Sequence, residues 1–391
     1  MSILSSVTAF VAGMRHRMVS RLLRTWYSPH GCSSAFDPLR PLLSLAAAFY
    51  ARGLQRNQAW AQARSKKLPR FVISVGNLAV GGTGKTPLTL SLARNLYSRG
   101  FTTAILSRGY GRKQDDVVRV PTSGQTASLM KRFGDEPVLM ARKIKAVPVW
   151  VGRERTRSGE AAIGQSGAMV LLLDDGFQHI ELNRDLNLLL LDAHHPFGNG
   201  RLIPLGPLRE PPEAIHRADA IILTRADDAK RCAKTREFLR EHYPGKPIFS
   251  CRHQLMGLKE GLAGPILPPE VFHNQPAVAF AGIARPELFF RSLDALRLRL
   301  CRCLDFPDHS PYGAHEIELI MTAVRETHAR FLITTEKDFV RLPEYFQKII
   351  LTAELEVDFG AESEAFYNYV KQCVLRIRPE AFKPKNIPLE V

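Results

Sequence analysis

Phe71-Val72-Ile73-Ser74-Val75, followed closely by Gly81-Gly82-Thr83-Gly84-Lys85-Thr86, is the stretch that decides the fold. The apolar run reads as a buried strand. The glycine-rich turn leads into a helix over 87–99, with Pro87 in the first turn, where a missing N–H does no harm. Such a turn lets backbone N–H groups converge on phosphate oxygens, and the helix N-terminus adds its positive end. Lys85 is placed to reach the β and γ phosphates of a nucleotide, and the Thr86 hydroxyl to bind Mg²⁺. The full pattern asks for a first glycine where this chain has Ala79; the strand–turn–helix context carries the reading without it.

Outward from this loop the pattern alternates. Strands are expected over 102–106, 147–151, 169–173, 186–191 and 220–223, and helices over 136–145 and 153–163. Such alternation implies a parallel sheet covered on both faces. After Arg225 the pattern restarts, with strands over 247–251, 278–281, 301–305, 331–334 and 349–353. Helices over 229–241, 286–296, 314–327 and 361–373 lie between them. The fold class is therefore α/β: a P-loop NTPase-type parallel sheet flanked by helices, with a second, smaller α/β domain. Residues 379–388 read as a tail.

The 391 residues suggest two or three domains, and a hydrophobic content of 45% excludes disorder over most of the chain. The 54 Lys and Arg against 38 Asp and Glu give a net charge of +16, which attracts polyanions without choosing among them. The N-terminal 70 residues contain many basic side chains and one acidic residue, Asp37. None of the six cysteines makes a CxxC pair; Cys301 and Cys303 share one side of a strand and read as buried free thiols in a reducing cytoplasm. No N-terminal run approaches the roughly 20 apolar residues that a spanning helix needs. In a helix over 41–66, however, Leu42, Leu43, Leu45, Phe49 and Leu54 share a broad face near Arg52 and Arg56. That pattern suits a helix lying in a membrane interface, and equally one packed on the protein's own core.

Several further segments carry chemistry. Leu171-Leu172-Leu173-Asp174-Asp175-Gly176 is a strand ending in two carboxylates, the place where P-loop proteins hold Mg²⁺; Gln178 and His179 follow at once. Asp135, in Gly134-Asp135-Glu136-Pro137, reads by itself as a helix cap. His309, in Phe306-Pro307-Asp308-His309, reads by itself as a surface or core histidine. Ser107-Arg108-Gly109-Tyr110-Gly111, Gly198-Asn199-Gly200-Arg201 and Gly206-Pro207-Leu208-Arg209-Glu210-Pro211 are glycine-rich, basic loops after strands, where arginine suits anionic groups.

Taken together with Ala281-Gly282-Ile283-Ala284 and Thr334-Thr335-Glu336-Lys337-Asp338, these motifs appear in the order of a known family. From about residue 38 to 353 the chain resembles tetraacyldisaccharide 4′-kinase, the lipid A 4′-kinase of Gram-negative bacteria. The resemblance implies ATP and Mg²⁺ as cofactors, phosphorylation of the 4′-hydroxyl of a tetraacylated disaccharide 1-phosphate to lipid IVA, and attachment to the cytoplasmic face of the inner membrane. It implies an anionic membrane surface and a glycolipid as partners, with no nucleic acid and no obligate protein partner. It makes Asp135 the catalytic base with His309 beside it and Lys85 at the transferring phosphate. Thr86, Asp174 and Asp175 become the metal residues, and Asn77, Arg108, Gln178, His179, Asn199, Arg201, Arg209 and Glu210 the substrate-binding set. The implied division is a basic extension over 1–37, an amphipathic membrane-associated helix over 38–68, a P-loop kinase domain over 69–225, and a second α/β domain over 226–391 closing over the active site. A rival reading is a P-loop GTPase or ATPase of the metallochaperone or targeting-factor type, since Leu223-Thr224-Arg225-Ala226-Asp227 resembles a guanine-reading loop with Arg225 in place of Lys. A nucleic-acid-binding protein finds no support in any recognition motif.

Overall fold

The computed structural model describes residues 26–27, 39–110, 112 and 114–377. The expected extension over 1–37, apart from Trp26 and Tyr27, and the expected tail over 379–388 lie outside them. Helix α1 (Arg40–Ala63) comes first. A first sheet and its helices follow: β1 (Phe71–Asn77), α2 (Lys85–Ser98), β2 (Thr103–Ser107), β3 (Val118–Arg119), α3 (Thr126–Phe133), α4 (Asp135–Lys143), β4 (Val149–Val151), α5 (Arg155–Ser166) and β5 (Val170–Asp174). It is completed by β6 (Leu186–Asp192), β7 (Ala220–Thr224), α6 (Ala229–His242) and β8 (Ile248–Ser250). The second group comprises β9 (Arg252–Glu260), β10 (Pro276–Ala281), α7 (Pro286–Ser292), β11 (Arg299–Asp305), α8 (Ala314–Thr327) and β12 (Phe331–Thr335). One-turn helices α9 (Glu336–Phe339) and α10 (Glu344–Gln347), then β13 (Leu351–Asp358) and α11 (Ser363–Ile377), end it.

The first sheet has the order β3-β4-β2-β5-β1-β6-β7-β8. All its pairings are parallel except the β3–β4 edge. Strands β1, β5, β6 and β7 are buried along their whole length. Helices on both faces leave no side for polar residues, so these strands read as unbroken apolar runs. Because the strands run the same way, the loop after β1, the carboxylates ending β5 and the residues ending β6 and β7 emerge at one edge, where open α/β sheets bind ligands.

The second sheet has the order β11-β10-β12-β13-β9, with β9 antiparallel to β13. The restart expected after Arg225 comes later. Helix α6 buries Cys232 and Leu239 against Ile221 and Leu223, and β8 pairs with β7, so both belong to the first sheet. Strand β9 was not expected: Arg252-His253-Gln254 is polar, and its first five positions alternate between exposed and half-buried before Gly257, Leu258 and Lys259 are buried in succession. Helix α3 and the two-residue β3 were also not expected. The chain finally returns to the first half, where Phe366, Val370 and Val374 of α11 join the core around β1, β2 and β5. The division at 226 therefore does not match the packing.

Buried charges join the halves. Lys143 of α4 lies 2.7 Å from Glu336 and 3.4 Å from Glu354, and Lys259 of β9 lies 3.1 and 3.0 Å from the same two carboxylates. Each charge thus has two opposite partners, the arrangement that makes burial of ions tolerable. Among the described cysteines, all free, Cys232 and Cys251 are buried; Cys303 is exposed on the edge strand β11, contrary to expectation. No group of three or more His, Cys, Asp or Glu among the described residues is arranged to hold a metal ion.

Candidate active site

The loop from β1 to α2 has Gly81 and Gly84 at φ of +119° and +84°, where side chains are strained. Gly84 caps α2, so the first amides of that helix face the cleft. Ala79 has no positive φ, which is why no glycine is needed there. Its neighbours are tied down instead: Val80 N donates to Pro207 O (2.8 Å) and Arg209 N to Leu78 O (2.7 Å). Asn77 is fully buried beneath the loop. Its amide donates to Ala79 O (2.7 Å) and Thr83 Oγ1 (2.8 Å), and its Oδ1 accepts from Lys85 Nζ (3.2 Å).

At the end of β5, Asp174 is buried and accepts from Thr89 Oγ1 at 3.1 Å. Burial, then the neighbouring Glu136 and Asp175 carboxylates, push its carboxyl up to about 7. Asp175, at φ +52°, lies 3.6 Å from Lys85 Nζ and 3.0 Å from Arg209 Nη1. Burial would raise its pKa, but these two cations outweigh it and lower it. Crowded carboxylates beside the phosphate loop are a donor set that fits Mg²⁺, which takes one or two carboxylates and completes its shell with phosphate oxygens and water. Thr86 lines the same cleft.

Asp135 opens α4, and His309, which lines the cleft, comes from the loop after β11. Their side chains meet at 2.9 Å, Nδ1 to Oδ2. Asp135 Oδ1 also accepts from Glu136 N at 2.9 Å, so the capping role read from sequence is present as well. A third side chain, not singled out from sequence, is Arg341, whose Nε lies 2.8 Å from the same Oδ2. Burial would raise the Asp135 pKa; the His309 bond and the Arg341 guanidinium hold it well below the usual carboxylate range.

The remaining substrate-set residues divide. Arg108, Gln178, His179 and Arg209 line a cleft of about 3170 Å³ together with Gly81, Gly82, Thr83, Gly84, Lys85, Asp174, Asp175 and His309. Arg155, missed in the sequence because it is one helix-opening arginine among many, is almost fully buried there, its Nη1 donating to Gly152 O at 2.8 Å. Burial, then Arg155, Arg184 and Arg108, push the His179 pKa down to about 3, so it faces the cleft neutral. Glu210 is fully buried: it accepts from Gln178 Nε2 (2.9 Å) and Gln58 Nε2 (2.5 Å) and pairs with Arg217 (2.7 Å). Asn199 holds its own loop, bonding Leu205 O (3.1 Å) and Arg201 N (3.1 Å), and Arg201 is exposed; neither lines the cleft.

The family described as Tetraacyldisaccharide-1-P 4′-kinase matches residues 38–374. The chain belongs to the tetraacyldisaccharide 4′-kinase family. It is 45% identical over 354 residues to the tetraacyldisaccharide 4′-kinase of Syntrophobacter fumaroxidans, covering 90% of this chain and 93% of that protein. It is 42% identical over 352 residues to that of Pelobacter propionicus, covering 87% and 95%. The crystal structure of the "apo" form of LpxK from Aquifex aeolicus in complex with ATP superimposes with a TM-score of 0.66 at 30% identity, over 86% of this chain and 99% of that one. The 4′-kinase match thus includes both halves of the cleft and begins two residues before α1.

Proposed function

We propose that this chain transfers the γ-phosphoryl group of ATP to the 4′-hydroxyl of tetraacyldisaccharide 1-phosphate, forming lipid IVA in lipid A (lipopolysaccharide) biosynthesis. The observation that carries this reading is the 2.9 Å contact of Asp135 with His309, a residue that lines the same cleft as the phosphate-binding loop. The α2 amides and Lys85 hold the β and γ phosphates in the manner of a P-loop NTPase. Thr86, Asp174 and Asp175 would hold Mg²⁺, which neutralises phosphate charge when bound. Asp135 accepts the hydroxyl proton, and His309 orients it. Arg108, Arg155 and Arg209 give the cleft wall a cationic character suited to a phosphorylated acceptor. Asn77 and Glu210 act one step back, as braces for the loop and for Gln178. The second half, from β9 to β13, closes over the site.

Arg225 speaks against the GTPase alternative: it pairs with Asp192 at 2.5 Å and donates to Gly82 O, which leaves it tied to the phosphate loop rather than reading a base. The test is acceptor dependence. Purified protein with ATP and Mg²⁺ should consume ATP slowly, and added tetraacyldisaccharide 1-phosphate should accelerate it strongly. A rate indifferent to the acceptor, or higher with GTP, would favour the alternative.

The membrane reading rests on α1. No helix among the described residues is long and apolar enough to cross a membrane. Tyr50 Oη donates to Arg209 O (2.8 Å), Gln58 bonds Glu210, and Ala61 is buried, so the C-terminal part of α1 is docked. Towards its N-terminus, Leu42, Leu45 and Phe49 form an exposed apolar stripe at helical spacing. That stripe, flanked by Arg40, Arg52 and Arg56, suits the anionic cytoplasmic surface of the inner membrane. Vesicle flotation should find the protein with anionic lipid, retained in part at high salt. Changing Leu42, Leu45 and Phe49 to Ser should release it, and a wild-type protein that stays at the bottom of the gradient would refute the attachment.

A further inference from the structure

Two of the sequence motifs, Ala281-Gly282-Ile283-Ala284 and Thr334-Thr335-Glu336-Lys337-Asp338, supply no group that touches a reacting atom in the mechanism above. In the structure both converge on one buried side chain, Arg341, which is 7% exposed. Its Nη1 donates to Gly282 O at 3.1 Å and to Asp338 Oδ1 at 3.2 Å. Asp338 is itself fully buried and held by Thr335 Oγ1 at 2.6 Å. A Cβ on Gly282 would lie 2.9 Å from Tyr312 Oη, 3.0 Å from Pro307 O and 3.1 Å from Asp338 Oδ1, so the close packing leaves no room for a side chain. The end of β10, the end of β12 and the His309 loop therefore form a rigid seat for one guanidinium.

From that seat Arg341 reaches the other half of the molecule. Its Nε donates to Asp135 Oδ2 at 2.8 Å, and its Nη2 to the same oxygen at 2.5 Å. The Nη2 also lies 3.0 Å from His309 Nδ1, which in turn is 2.9 Å from Oδ2. A lone pair on Nδ1 would face the carboxylate, acceptor against acceptor, so Nδ1 carries the proton and donates to Asp135. The other ring nitrogen, Nε2, lies 3.4 Å from Lys337 Nζ and 3.8 Å from Asp308 Oδ1. One oxygen of Asp135 is thus fixed by three donors, all from the second half.

We infer that Arg341 is a positioning residue for the Asp135–His309 unit, assembling the proton acceptor across the cleft by gripping Asp135 from the second half. The inference rests on the kinase reading above and adds to it. A guanidinium fork with two nitrogens on one oxygen and a third held by buried acceptors fixes direction as well as charge, which an ammonium does not. Without it, Oδ2 of Asp135 keeps only the His309 contact, and the carboxylate is held less firmly towards the acceptor hydroxyl.

The test is a kinetic cycle with Arg341→Gln and Asp135→Asn, alone and combined, on protein whose thermal melting shows it folded. Arg341→Gln should lower kcat by about 10–10²-fold, the usual cost of a misplaced reacting group, with KM for ATP nearly unchanged. In the Asp135→Asn background the same change should cost almost nothing, because the group being positioned is already lost. If the Gln variant does not fold, Arg341→Lys enters the same cycle, with the same loss expected in the wild-type background and the same silence in the Asn background. Equal losses in both backgrounds would mean that Arg341 only supports the fold, and no loss at all would mean that it does nothing; either overturns the inference. A fully active Asp135→Asn removes the base reading, and this inference with it, while an inactive Asp135→Asn with multiplicative Arg341 losses overturns the inference alone.

Discussion

Lys85→Ala is expected to remove nearly all phosphoryl transfer, by at least about 10²–10³-fold, the usual cost of losing one preorganised donor to transition-state charge. Charge spreads over the transferring group in the transition state, and the protein's part is mainly positioning and electrostatics. Lys85 is the cation at the mouth of the loop, 3.2 Å from Asn77 Oδ1 and 3.6 Å from Asp175. Neither neighbour depends on it for its place. Asn77 keeps its bonds to Ala79 and Thr83, and Asp175 keeps Arg209 at 3.0 Å. The melting temperature should therefore change little while turnover collapses. A variant with near-normal turnover would show that the loop does not hold the transferring phosphate.

The second large effect is expected at Asp135 and His309. Asp135→Asn should lower kcat by roughly 10²–10⁴-fold, the usual worth of a general base, with a far smaller change in affinity. The Asn side chain can still accept from Glu136 N, so the local helix start is preserved and the loss isolates the chemistry. His309→Ala should cost less, because Asp135 keeps its Arg341 contacts. Losing both should cost much less than the product of the two separate losses, since the pair performs one task. Initial rates for the two single variants and the double variant decide this. Full activity in the Asn variant, or strictly multiplicative losses, would return Asp135 to a capping role.

What could be read from the sequence is what is local in the chain. The phosphate loop and the Asp174-Asp175 pair each sit on one strand and its following turn, so motif and local context together make them legible. The buried parallel strands are legible for the same reason, as short unbroken apolar runs. Arg341 is not legible in this way: Asp135, the partner that gives it meaning, is 206 residues away, and nothing near it in the chain differs from an ordinary helix-following arginine. Arg155 is hidden likewise, because its meaning comes from Arg108 and His179 brought beside it by folding. Asn77 and Glu210 show the converse limit. Their motifs mark them, but sequence cannot tell a residue that lines a cleft from one that braces it from beneath. Strand β9 escaped because its polar edge residues carry no alternation strong enough to announce a strand, and the late restart of the second sheet follows from that.

The most direct test of the central claim is the fate of the γ-phosphate. Purified protein, γ-labelled ATP, Mg²⁺ and tetraacyldisaccharide 1-phosphate in mixed micelles should yield a labelled glycolipid, and phosphorus NMR of the product should show a new phosphomonoester at the 4′ position beside the original 1-phosphate. Label released only as inorganic phosphate, with the glycolipid unchanged, would contradict it.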